Sequence, residues 1–79
     1  MNNYKYEPDI KKISEKKGSE LINSWIEGKE IPQELYYFKS KNVFIAIDNS
    51  SNNCWVEEFR DIKNCMKYLN GEALEDCLE

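Results

Sequence analysis

The apolar residues of the chain fall into clusters separated by polar runs. Between residues 9 and 28 they are Ile10, Ile13, Leu21, Ile22, Trp25 and Ile26. The last four have helical spacing, and Ile10 and Ile13 join the same broad stripe if one helix is continuous. The spacing predicts a helix over 9–28. Pro8 disfavours helix at Glu7 and suits a helix start, and Asp9 is placed to cap that helix. Gly18 costs the middle of such a helix roughly 1 kcal/mol relative to alanine. Two shorter helices, the second capped by Ser19, are the alternative. Gly28 suits a C-terminal cap, with Pro32 shortly beyond.

Residues 34–38 are rich in aromatic side chains and read as a strand. A polar turn over 39–42 leads to 43–47 (Val-Phe-Ile-Ala-Ile), the strongest strand signal. Its unbroken apolar run implies burial on both faces. The turn formers of 48–53 lead to a third strand, 54–59, antiparallel to the second. A symmetric turn would oppose Ile47 to Cys54 and Ile45 to Val56. Val43, Ile45, Ile47, Cys54 and Val56 would then share the core face, and Phe44, Ala46, Trp55 and Glu57 the other. The last helix is expected over 61–70, where Ile62, Cys65, Met66 and Leu69 form an amphipathic stripe. Asp61 complements its dipole, and Gly71 is placed to cap its end.

The expected fold class is α+β, with the order α-β-β-β-α. A three-stranded antiparallel β-meander with both helices on one face is the simplest way to bury these stripes. The 79 residues form one small domain, with 1–8 and 72–79 expected to fray or, at the C-terminal end, to add a helical turn.

Composition narrows the function classes. Hydrophobic residues make up 41% and charged residues 33%, as in an ordinary soluble globular domain. No stretch approaches the roughly 20 apolar residues of a membrane-spanning helix, so no membrane partner is expected. The net charge of −4 lies wholly in the second half. Residues 1–40 balance seven lysines against seven acids, whereas 41–79 carry four basic residues and eight acids. The acidic half should repel phosphate backbones and attract a basic partner. Cys54, Cys65 and Cys77 are odd in number and not in CxxC spacing. Scattered thiols without a signal peptide suit a reducing, cytoplasmic setting.

The chain has no histidine, so the commonest general base and zinc ligand are missing. No nucleophile–histidine pair can be built, and no metal, cofactor or enzymatic activity is expected. Glu57 and Glu58 are adjacent on a strand and point to opposite faces, so they cannot converge as an acid–base pair. The glycines are isolated, unlike a phosphate loop. The loop 48–53 lacks the alternating carboxylates, glycine and closing glutamate of a calcium loop. Tyr36, Tyr37, Phe38, Lys39 and Lys41 are the best local case for nucleic-acid binding, and a strand running into a hairpin turn explains them more simply.

The second face of the sheet remains. With helices on one face only, Phe44 and Trp55 would lie exposed on the other, rimmed by Glu57 and Tyr37. An aromatic patch with a polar rim suits protein binding; cover of this face by the first helix or by Tyr4 and Tyr6 is the equal alternative, and a homodimer through it would also hide the patch. The expected protein-binding residues are Phe44, Trp55, Glu57, Glu58 and Asp61. Glu72, Glu75 and Asp76 extend the acidic set.

The stretch 43–71, a strand pair carrying Cys-Trp-Val-Glu-Glu-Phe and then a short amphipathic helix, resembles the small accessory proteins of phages and prophages of low-GC Gram-positive bacteria. Some of these are inhibitors of host defence systems, anti-CRISPR proteins among them. They occupy a host protein's surface, sometimes with acidic groups in place of nucleic-acid phosphates. The resemblance implies a non-enzymatic protein-binding module that blocks a basic nucleic-acid-binding surface, with no direct nucleic-acid contact. A small homo-oligomeric assembly protein is the alternative.

Overall fold

The computed structural model describes residues 9–78, so the expectations for 1–8, fraying and cover by Tyr4 and Tyr6, lie outside the described residues. In chain order these form β1 (Ile10–Lys12), α1 (Glu15–Ile26), β2 (Leu35–Ser40), β3 (Val43–Asp48), β4 (Trp55–Phe59), α2 (Ile62–Leu69) and a 3-10 turn (Leu74–Asp76). The class is α+β. The antiparallel meander β2-β3-β4 is present, and β1 adds a fourth strand, parallel to β2, giving the order β1-β2-β3-β4.

Ser14 sets where the first helix begins. Its backbone is extended and its hydroxyl accepts a hydrogen bond from the Lys17 N–H at 3.0 Å. Residues 10–12 are therefore a strand rather than the first turn of a helix. Ile10 packs toward α2 and Ile13 toward α1, on opposite sides of the sheet, which one helical stripe could not do. Asp9 caps nothing, and its carboxylate instead meets the Lys11 ammonium at 3.1 Å. Past Ser14 the helix is continuous through Gly18. Both helices end alike. Gly28 and Gly71 take positive φ, and the paired bonds Lys29 N–H to Ser24 carbonyl and Glu72 N–H to Lys67 carbonyl close each last turn.

The two helices lie on opposite faces of the sheet, not on one. Leu21 of α1, with Ile22 and Trp25 beside it, packs against Tyr36, Phe38 and Ile47. Cys65 and Leu69 of α2 pack against Ala46 and Phe59, joined by Leu35, Tyr37 and Phe44. The reason is the sequence of β2 and β3, which is apolar at odd and even positions alike. A strand hydrophobic on both sides needs cover on both sides. Complete burial of one phenylalanine such as Phe59 contributes roughly 1.5–3 kcal/mol.

The β3–β4 register also departs from expectation. Ile47 pairs with Val56, and Asp48 with Trp55. Cys54 is excluded from the ladder because the loop before β4 winds through positive φ at Asn52 (65°) and at Cys54 itself (50°). The shift is two residues, so the division of side chains between faces is preserved.

That loop is held by Asn49, fully buried. Its Nδ2 donates to the carbonyls of Ile31 (3.2 Å) and Pro32 (2.9 Å), and its Oδ1 accepts from the Cys54 N–H (2.9 Å). Its backbone N–H donates to the Glu34 carbonyl. One side chain thus ties the α1–β2 connection to the β3–β4 loop. Beyond α2, the 3-10 turn folds Cys77 back into the α2 cluster, where its Sγ donates to the Ala73 carbonyl at 3.2 Å.

Candidate protein-binding surface

Of the five expected binding residues, Phe44 is the one the fold withdraws. It is half-buried in the α2 cluster, and Lys39, its cross-strand partner, sets its ammonium 5.9 Å from the ring centre. α2 covers the part of the expected open second face that holds Phe44, and Trp55 at its end stays exposed.

Trp55, Glu57 and Glu58 all stand on β4, an outer strand of the sheet. Trp55 is 55% exposed and lies across from Asp48. Glu57 pairs with Ala46 on the α2 face and is half-buried. Glu58 pairs with Ile45 on the α1 face and is exposed. The charges of Glu57 and Asp48 both reach Tyr68. Burial first, then these two carboxylates, push its phenol above the usual range. Asp61 is exposed and caps α2, its Oδ1 accepting from the Lys63 N–H at 2.8 Å. Its role is therefore structural as well as electrostatic. None of Glu57, Glu58 or Asp61 makes an ion pair among the described residues.

Apolar side chains stand among these acids. Val56 is 40% exposed, Ile62 38% and Leu78 56%. Below β4, an open groove of roughly 710 Å³ is bounded by Glu58, Arg60, Asp61, Ile62 and Leu78, with Phe59 on its wall. Sequence reasoning missed Val56, Ile62 and Leu78 as surface residues, assigning Val56 to the core and Ile62 to a buried stripe. For Val56 the cause is the position of α1, whose main sheet contacts are with β2; Ile62 stands at the first position of α2 and Leu78 beyond the 3-10 turn. A signal was present: carboxylates at two successive positions of a strand point to both faces, as on an edge.

The three thiols and the Tyr36 phenol are shifted toward their neutral forms. Burial raises all three thiols, Cys65 to about 11, which disfavours thiolate chemistry. Tyr36 is raised to about 12, first by burial and then by its hydrogen bond to Glu34. Among the described residues, no three His, Cys, Asp or Glu side chains converge as metal ligands, and no helix is long and apolar enough to cross a membrane. What the arrangement offers is a charged, partly apolar rim for contact. No family model matches the chain, and no curated protein or solved structure shows significant similarity to it.

Proposed function

We propose that the protein is a non-enzymatic binding module that uses the β4 rim to occupy a basic surface of another protein. One observation carries this reading: Trp55, Val56, Ile62 and Leu78, four of the five large apolar residues exposed among those described, gather along β4 and the groove below it, interleaved with Glu57, Glu58 and Asp61. Apolar anchors bordered by carboxylates suit a partner whose surface mixes aliphatic and basic groups. A nucleic-acid-binding surface on a host protein is such a target, and the module would act there as an inhibitor standing in for phosphates. The exposed Glu72, Glu75 and Asp76 beyond α2 add to the same negative field.

The test is capture from the source organism's lysate with wild-type, Trp55→Ala and Glu57→Lys/Glu58→Lys proteins at 50 and 500 mM salt. A partner retained only by wild type, and released at high salt, is the expected result. Capture indifferent to salt and to both variants would sink the proposal.

A further inference from the structure

We infer that β4 takes up an extended basic segment of its partner as a fifth strand of the sheet; this rests on the reading of the β4 rim as a protein-binding face. β4 is the last strand in the order β1-β2-β3-β4, and among the described residues no strand pairs with its outer side. The opposite edge, β1, has three residues, whereas β4 has five, enough for a ladder of roughly 17 Å. Edge strands are commonly blunted by proline, bulges or inward-turned charges. β4 contains no proline, and its pairing with β3 is unbroken from Trp55 to Phe59. Its protection is limited to the two carboxylates.

Those carboxylates choose the occupant. A second copy of the chain is disfavoured. Antiparallel pairing centred on Glu57, the register that engages all five residues, sets Glu57 against its own counterpart, and like charges directly opposite destabilise a strand pair. A segment with basic residues at those positions converts the same repulsion into attraction. Trp55 and Val56 come first along β4, one on each face, and Glu57 and Glu58 come next, again one on each face. The complementary segment therefore carries two neighbouring basic residues beside two neighbouring apolar ones. Main-chain hydrogen bonds would hold it and these four positions would select it. Past Phe59, the groove beside Asp61, Ile62 and Leu78 receives the residue that runs beyond the ladder.

The experiment is an NMR titration of the full 79-residue protein with a synthetic peptide, Thr-Arg-Lys-Val-Tyr-Thr, and with its counterpart Thr-Glu-Glu-Val-Tyr-Thr. Amide hydrogen exchange is monitored residue by residue. The basic peptide should slow exchange at the outward amides of β4 at least tenfold at saturation. The acidic peptide should bind at least tenfold more weakly, and the Glu57→Lys/Glu58→Lys protein, checked for folding by circular dichroism, should reverse that preference. Strand addition is overturned by binding without slowed exchange at β4, by equal affinity for both peptides, or by no binding at millimolar peptide. Slowed exchange at β4 that instead tracks protein concentration, with a dimer in sedimentation, replaces the peptide with a second copy and also overturns it. If lysate capture still depends on Trp55 and salt while β4 exchange is unchanged, strand addition fails and the rim proposal stands. If capture is lost as well, both fail.

Discussion

Gly18 of α1 lies directly on the ring of Phe38 in β2, so closely that a methyl group on its Cα would overlap the ring carbons. Phe38 is 4% exposed beneath it. Helix propensity alone favours alanine at this position by roughly 1 kcal/mol. Packing reverses the sign, because the ring has a sheet behind it and a helix in front. Gly18→Ala should destabilise the protein by about 1–3 kcal/mol in chemical denaturation. Pairing it with Phe38→Leu should cost less than the sum of the two single changes.

Asn49 should be among the least replaceable polar residues. Asn49→Ala frees the carbonyls of Ile31 and Pro32 and the Cys54 N–H at once. A loss of about 2–4 kcal/mol is expected, since each buried group left without a partner costs on the order of 1–3 kcal/mol and water entering the space recovers part of it. Asn49→Leu, which fills the volume and leaves the same three groups unsatisfied, should be no better. Equal stability of wild type and Asn49→Leu in urea would contradict the role given to the amide.

The protein should be labile to alkali. Cys65 rises from 9.0 to about 11 on folding and Tyr36 from 10.0 to about 12, both chiefly through burial. Each group keeps its proton in the folded chain at a pH where the unfolded chain has already lost it. Stability is therefore intact below pH 9 and declines as pH climbs toward 12. Denaturation midpoints measured from pH 8 upward should show this fall. Cys65→Ala, though less stable at neutral pH, should lose the part of the slope that begins near pH 9. Its share is on the order of 3 kcal/mol at full titration. A midpoint flat to pH 11 would refute the assignment.

Trp55 should separate binding from stability. More than half of its surface is exposed, so Trp55→Ala is expected to cost no more than about 1–2 kcal/mol of denaturation free energy and to leave the protein folded. The same variant should lose partner capture. A large stability loss would mean that the indole is a packing residue, not a contact for another molecule.

Much of the fold is legible in the residues themselves. The aromatic run before Lys39, the apolar run 43–47, the turn formers after it and the i, i+3, i+4, i+7 stripe of α2 each locate an element, and Gly28 and Gly71 mark both helix ends. The omissions share a cause. β1 has three residues, and the spacing of Ile10 and Ile13 mimics a helix; its partner β2 lies more than twenty residues away, so nothing local reveals the pairing. Ser14, with Glu15 at the first helical position, was the readable start signal. The placement of helices on both faces was implicit in Val43–Ile47, whose two-sided burial demands two covers. Asn49 was not legible: among Asp48, Ser50, Ser51, Asn52 and Asn53 it looks like one more turn former, and only the fold turns it inward. At the candidate surface, the exposure of Trp55 and Glu58 was legible from sequence, whereas Phe44, expected to be exposed, is half-buried because the cover provided by α2 is a tertiary fact.

The opposed helices have a further consequence. β2 and β3 act as a bulkhead between two apolar chambers, and side chains from one chamber do not reach the other. Changes at sites that share no neighbours tend to add independently. Losses of packing beneath α1 and beneath α2 should therefore sum in their cost to stability, neither chamber relieving or aggravating damage in the other.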